Sequence, residues 1–149
     1  MNKLDWPTPF GDVRSLVCEA IQSGEGEDLL LRLVEHVAAN HEETIQIGEV
    51  KISGSPIGRN EESRQWLVYW KRVAGFKSSS ESFYFSIYQI EGKTDARAFK
   101  VQDSVWIKDM QNEGVMGSVL PQCQHFVIAT DHKIIEVLAV GEPEIKACQ

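Results

Sequence analysis

The spacing of the apolar residues changes once along the chain, near residue 44, and this change limits the fold more than any other feature. Before it, apolar residues recur three and four positions apart, the spacing of one face of an amphipathic helix. The two sets are Val13, Leu16, Val17, Ala20 and Ile21, then Leu30, Leu33, Val34, Val37 and Ala38. Thr8-Pro9 is a typical helix start and Ser23-Gly24 a typical break. This part of the chain therefore predicts a helical hairpin over residues 9–40.

After residue 44 the apolar spacing becomes two, which is typical of β-strands. Between Thr44 and Ser53 the apolar residues change sides at Gly48-Glu49, which predicts one strand with a bulge at that point. Residues 75–80 predict a flexible connection between two aromatic strands, and residues 109–121 a long loop. The predicted strands are 44–53, 64–74, 82–91, 97–108, 124–130 and 133–140.

Helices that precede strands, without alternation of the two, favour an α+β fold. We predict a single domain over residues 1–149, in which the helical hairpin packs on a curved, mostly antiparallel sheet of about six strands. The sheet occupies residues 44–140, and residues 141–149 form a polar tail that frays. A sheet that curls more strongly would give a cone or half-barrel with the helices as its lid.

No cofactor or metal is predicted. Cys123 and His125 offer two ligands on one strand face, whereas a zinc site needs three or four that converge. His36 and His41 are five residues apart, which places them on different sides of a helix. The loop Gly54-Ser-Pro-Ile-Gly58-Arg59 matches neither phosphate-binding fingerprint, and it precedes a strand.

Asp103 is the one catalytic candidate. In the predicted strand its side chain shares a face with the apolar Val101 and Val105, and a buried carboxylate must be paired or neutralised. It could then act with a histidine. The alternative is a bend at residues 102–104 that turns Asp103 to solvent. No Gly-x-Ser-x-Gly nucleophile elbow is present.

Four aromatic residues lie at even spacing on two adjacent predicted strands, where each pair lines one face. They are Trp66, Trp70, Tyr84 and Tyr88. Core packing is one interpretation. A ligand or partner patch is the other, because tryptophan and tyrosine are common interface anchors.

Charge is distributed very unevenly. Residues 1–50 carry ten acidic and three basic side chains, whereas residues 51–149 carry twelve of each, so the first third accounts for the whole net charge of −7. This charge disfavours nucleic-acid binding. It predicts either a solvated acidic face or a docking surface for a basic protein. The predicted partner-binding residues are Glu27, Asp28, Glu35, Glu42 and Glu43.

No secretory signal or membrane span is recognisable, and Cys18, Cys123 and Cys148 form no paired motif, so we expect a cytoplasmic protein. The leading functional hypothesis is a non-catalytic acidic protein-binding module, like an immunity protein, inhibitor or adaptor, that docks on a basic partner. The alternative is a small-ligand-binding cone or half-barrel. A domain of that shape could also be an enzyme that uses Asp103 with a histidine. A homodimer is left open.

Overall fold

A computed structural model describes residues 1–80, 96–114 and 121–148, and more than half of these lie in β-strands. The one described helix is α1 (Val105–Asn112). The strands are β1 (Asn2–Asp5), β2 (Leu16–Gln22), β3 (Leu29–Glu35), β4 (Val37–Ala38), β5 (Glu43–Ile47), β6 (Val50–Gly54), β7 (Ile57–Gly58), β8 (Gln65–Trp70), β9 (Val73–Ser80), β10 (Ala98–Gln102), β11 (Cys123–Ala129), β12 (Lys133–Val140) and β13 (Glu144–Cys148).

Nine of these strands form two antiparallel sheets. The first sheet has the order β1-β10-β11-β12-β9, and the second has the order β13-β8-β3-β2. Two further pairs, β4–β7 and β5–β6, are separate two-stranded sheets. Most neighbours within the two large sheets are distant in sequence, so the pairing depends on contacts between remote segments.

The core lies between the inner faces of the two large sheets. Phe126 of the first sheet contacts Trp70 of the second, with 5.7 Å between ring centroids. Trp6 and Phe10, from the segment between β1 and β2, complete the aromatic layer at 4.9 Å from Phe126 and 5.8 Å from Trp66 respectively. Trp66, Val68 and Trp70 alternate inward along β8, as one buried face of a strand requires. The architecture is therefore a sandwich of two sheets.

The predicted α+β fold, a helical hairpin packed on one curved sheet of about six strands, is wrong, because the described strands form several antiparallel sheets. The residues predicted as helices form strands, mainly β2 and β3, which pair with each other. The register shifts between Cys18 and Ala20, so that Leu16, Cys18 and Ile21 all pack toward the core. Such a bulge adds one residue to the strand and imitates helical spacing. In β3 the apolar run is nearly continuous, and short runs of this kind do not distinguish helix from strand.

Residues 44–53 form a hairpin rather than one bulged strand. The change of apolar side at Gly48 marks a turn, in which Gly48 has a φ of 60°. The predicted link at residues 75–80 belongs to β9. Residues 82–91, with Tyr84 and Tyr88, lie outside the described residues.

The predicted strand over residues 97–108 ends at Gln102, where Asp103 adopts a φ of 56°. Ser104 then begins α1, since its Oγ accepts a hydrogen bond from the Ile107 N–H. Residues 109–112, predicted as loop, continue this helix. Residues 144–148 of the predicted polar tail form β13, which pairs with β8. The predicted β11–β12 hairpin is confirmed.

The aromatic layer should carry much of the stability. Phe126 is fully buried, so Phe126→Ala should lower the free energy of unfolding by about 3–5 kcal/mol, measured by urea denaturation. Phe76, on β9 of the same sheet, is 45% exposed and provides the matched control. Phe76→Ala should cost about 1 kcal/mol or less. Equal losses in the two variants would contradict a core centred on Phe126.

Candidate functional site

The hairpin of β5 and β6, which we call the arm (residues 43–54), lies outside both large sheets. Its strands pair only with each other among the described strands, and all ten strand residues are exposed. A two-stranded hairpin without packing is marginally stable in water. Because the strands of the arm are exposed, the contribution of the arm to the core does not explain its presence in the domain.

The arm has one apolar face and one polar face. The pairs Ile45–Ile52 and Ile47–Val50 lie on the first face, and each of the four side chains is between 60% and 70% exposed. The opposite face carries Thr44 against Ser53, whose hydroxyl oxygens are 2.8 Å apart, and Gln46 against Lys51. Single exposed apolar residues are ordinary, but a contiguous group is typical of an interaction site.

A hollow lies at the base of the apolar face. It has a volume of about 190 Å³ and is lined by Glu43, Ile45, Ile52, Gly54, Ser55 and Pro56. The Glu43 carboxylate is exposed, with His41 Nε2 3.0 Å from its Oε1. Ser55 also lines a larger open cleft of about 620 Å³ that reaches Ile57, His36 and Asp131. The apolar face therefore continues into a concave surface.

Asp131, which also lines this cleft, connects three segments of the chain. Its carboxylate accepts hydrogen bonds from the Ser15 hydroxyl at 2.5 Å and the Leu16 N–H at 3.3 Å, and it pairs with Arg97 Nη1 at 2.8 Å. Arg97 also donates to the Val13 carbonyl at 3.0 Å and to the Arg14 carbonyl. Partial burial alone would raise the pKa of Asp131, but these hydrogen bonds and the Arg97 charge outweigh it and lower the pKa.

The lowered pKa of Asp131 gives stability a pH dependence of known sign. Its bonds should contribute fully above the ordinary value of about 3.8, and the contribution should be lost as the pH falls through the lower folded-state pKa. The gap in unfolding free energy between wild type and Asp131→Asn should therefore be largest at neutral pH and shrink in acid. Urea titrations at several pH values measure it. The control is Asp109→Asn, on the exposed surface of α1, and an equal gap for both variants would contradict the assignment.

A second polar group is buried on the first sheet, on the face opposite the aromatic layer. Ser104 Oγ is 2.8 Å from His125 Nδ1, and His125 Nε2 is 2.8 Å from Glu136 Oε1. All three residues are buried, and Glu136 Oε2 has no hydrogen-bond partner in the described part of the chain. The residue types are those of a serine hydrolase relay, but the roles of the two imidazole nitrogens are exchanged, since in the relay the serine contacts Nε2 and the carboxylate contacts Nδ1. Ser104 is also buried and caps α1. The hydrogen bonds from Ser104 through His125 to Glu136 therefore connect the helix to the sheet.

The His125–Glu136 pair should be strongly coupled in stability. Glu136→Leu alone leaves a buried histidine without its partner and should cost about 3–5 kcal/mol in urea denaturation. The double variant with His125→Leu should lose clearly less than the two single losses together. Glu144→Leu, at an exposed position of β13, provides the control and should stay close to wild type. Additive losses would show that the pair is not coupled.

The predicted catalytic residue, Asp103, adjoins Ser104 in sequence but is not part of the buried group of Ser104, His125 and Glu136. Asp103 is exposed, and the neighbouring Ser104 makes the bond to His125. Sequence reasoning missed Ser104, His125 and Glu136 as a set. A signal was present in β12, since Glu136 interrupts an otherwise apolar run.

The structure separates the predicted partner-binding carboxylates into two groups. Asp28 accepts hydrogen bonds from the Gly24 N–H and the Tyr69 hydroxyl, and Glu35 makes two with Arg64, which lower the pKa of Glu35. Glu27 lies 3.9 Å from Arg72. Glu42 and Glu43 are exposed at the base of the arm. Only the last two adjoin the apolar face.

Trp66 and Trp70 belong to the aromatic layer and are buried. Within residues 1–80, 96–114 and 121–148, no three His, Cys, Asp or Glu side chains converge as metal ligands would. No helix in the described residues is long and apolar enough to cross a lipid bilayer. Comparison with protein-family models, curated proteins and solved structures found no match.

Proposed function

We propose that the chain is a protein-binding module that docks on a basic partner through the arm and the carboxylates beside it. The supporting observation is the apolar face of Ile45, Ile47, Val50 and Ile52, each exposed by 60% or more. Four such side chains present on the order of 400 Å² of apolar surface, a size at which patches on monomeric proteins are often functional.

The apolar face alone supports only weak binding. Burying about 400 Å² contributes roughly 10 kcal/mol before costs. Loss of translational and rotational freedom on association costs a similar amount, about 4–15 kcal/mol. Specific binding therefore needs polar or charged contacts in addition to the apolar face.

The charge of the arm supports a basic partner. Glu43 lies on the same strand face as Ile45 and Ile47, Glu42 precedes it, and Glu49 is in the turn of the arm. Lys51, the one cation of residues 43–54, is on the polar face. Carboxylates at the rim of an interface accelerate association with a basic partner and suppress acidic ones. The net charge of −7 acts in the same direction.

The ligand-binding and enzymatic alternatives find less support. Trp70 and Phe126 fill the space between the sheets, where a cone would hold its ligand. Asp103, the catalytic candidate, is exposed. Docking through the arm is the function that the geometry favours.

The test compares two double variants of the arm. Protein captured from host lysate is identified, purified and titrated against wild type, against Ile47→Ser/Val50→Ser on the apolar face, and against Gln46→Ser/Lys51→Ser on the polar face. We expect the apolar variant to weaken binding about tenfold or more and the polar variant to have little effect. Neither should change the unfolding midpoint, because all four residues are exposed.

Salt provides the second measurement. Raising it from about 0.05 to 0.5 M should slow association, because the screening length shrinks several-fold. A captured protein that is acidic, or that binds the apolar variant as tightly as wild type, would refute docking through the arm.

A further inference from the structure

The turn of the arm determines which backbone groups face outward. Gly48, the first residue of the two-residue turn, has the positive φ that such hairpins require. In two-residue hairpins the residue pair beside the turn, here Ile47–Val50, is hydrogen-bonded through the backbone. Hydrogen-bonded and non-hydrogen-bonded pairs then alternate, so Gln46–Lys51 and Thr44–Ser53 are non-hydrogen-bonded pairs. Thr44 and Gln46 on β5 therefore point their N–H and C=O groups away from β6. Lys51 and Ser53 do the same on the edge of β6.

Both outer edges are available for pairing. Among the described residues, the backbone groups of these four positions have no backbone partner. An edge of this kind accepts an extended segment as an additional strand, and the main-chain hydrogen bonds then supply affinity while alternate side chains supply specificity. Antiparallel pairing with Thr44 and Gln46 would form four such bonds, because each bonded residue pair exchanges two.

Charge favours the edge of β5 over that of β6. A strand beside β5 places successive same-face side chains next to Ile47, Ile45 and Glu43. The first two positions suit apolar residues, and the third, at the hollow that Glu43 lines, suits a cation. A strand beside β6 would find Gly54 at that third position and Lys51 on the opposite face.

We propose, on the basis of the proposed docking function, that the arm binds its partner by strand addition. An extended segment of the partner pairs antiparallel with the outer edge of β5. It carries two apolar side chains at alternate positions and, two residues further, a lysine or arginine that pairs with Glu43. A second copy of this chain fits less well, because antiparallel β5 strands centred on Ile45 would set Glu43 beside Ile47 and bring no cation to either carboxylate.

The probe is the peptide acetyl-Thr-Val-Thr-Val-Thr-Lys-Thr-amide, titrated calorimetrically against the full chain. Its two valines and its lysine would lie beside Ile47, Ile45 and Glu43. Replacing the peptide lysine by glutamate should weaken binding about tenfold or more, and Glu43→Lys in the protein should restore binding of the glutamate peptide. Equal binding of both peptides to wild type would overturn the assigned register.

Backbone pairing is tested in the peptide, where folding of the arm is not at risk. The third peptide residue would bond to Gln46, whereas the N–H of the fourth, beside Ile45, faces away. N-methylation of the third residue should therefore abolish binding, and N-methylation of the fourth should leave it nearly unchanged. Loss in neither peptide, or loss only in the second, would overturn strand addition.

Matched proline variants locate the edge on the protein. Gln46→Pro and Lys51→Pro each remove an outward N–H, which edge strands tolerate. Gln46→Pro should lose peptide binding, and Lys51→Pro should keep it; the reverse would place the strand on β6 and overturn the proposal. The captured partner could bind Ile47→Ser/Val50→Ser more weakly than wild type while no peptide binds. That result would support docking through the arm and overturn strand addition. A dimer in sedimentation that Gln46→Pro dissociates would show a second copy at this edge and would also overturn it.

Discussion

Packing of five aromatic side chains between the two sheets is the constraint on which the rest of the structure depends. Phe126 comes from β11, Trp66 and Trp70 from β8, and Trp6 and Phe10 from the segment that joins β1 to β2. None of these segments can bury its apolar face alone, so each strand forms because remote strands cover it. The arm takes no part in this core. Substitutions in the arm should therefore leave the fold intact.

This dependence on remote contacts explains what the sequence predicts and what it does not. The β11–β12 hairpin is predicted because its partners are neighbours and each strand is a long apolar run. The pairing of β3 with β8 joins residues that are more than thirty positions apart in the sequence, and no local pattern predicts it. The bulge near Glu19 moves Ile21 to the core side and gives β2 the spacing of a helix. Local periodicity alone therefore favoured the wrong element.

The candidate sites show the same limit at the scale of single residues. Alternation correctly predicts that Val101 is buried, but the same alternation wrongly extends through Asp103, because a positive φ at one residue leaves no periodic pattern in the sequence. The change of apolar side at Gly48 was visible, yet a bulge and a turn fit it equally well. Only the pairing of Ile45 with Ile52 shows that the apolar residues share one face and that no other described strand covers it.

A permanently exposed apolar face must also be kept from indiscriminate association. Short strands, edge charges and a net charge far from zero are the usual protections. The arm has strands of five residues, with Glu43 and Lys51 on them and Glu49 in the turn, and it belongs to a chain of net charge −7. Two copies that approach through their arms bring carboxylates toward carboxylates, whereas a basic partner meets them favourably. Under the proposed docking function, the carboxylates of the arm would therefore have two effects, because the same charges that disfavour self-association would favour a basic partner.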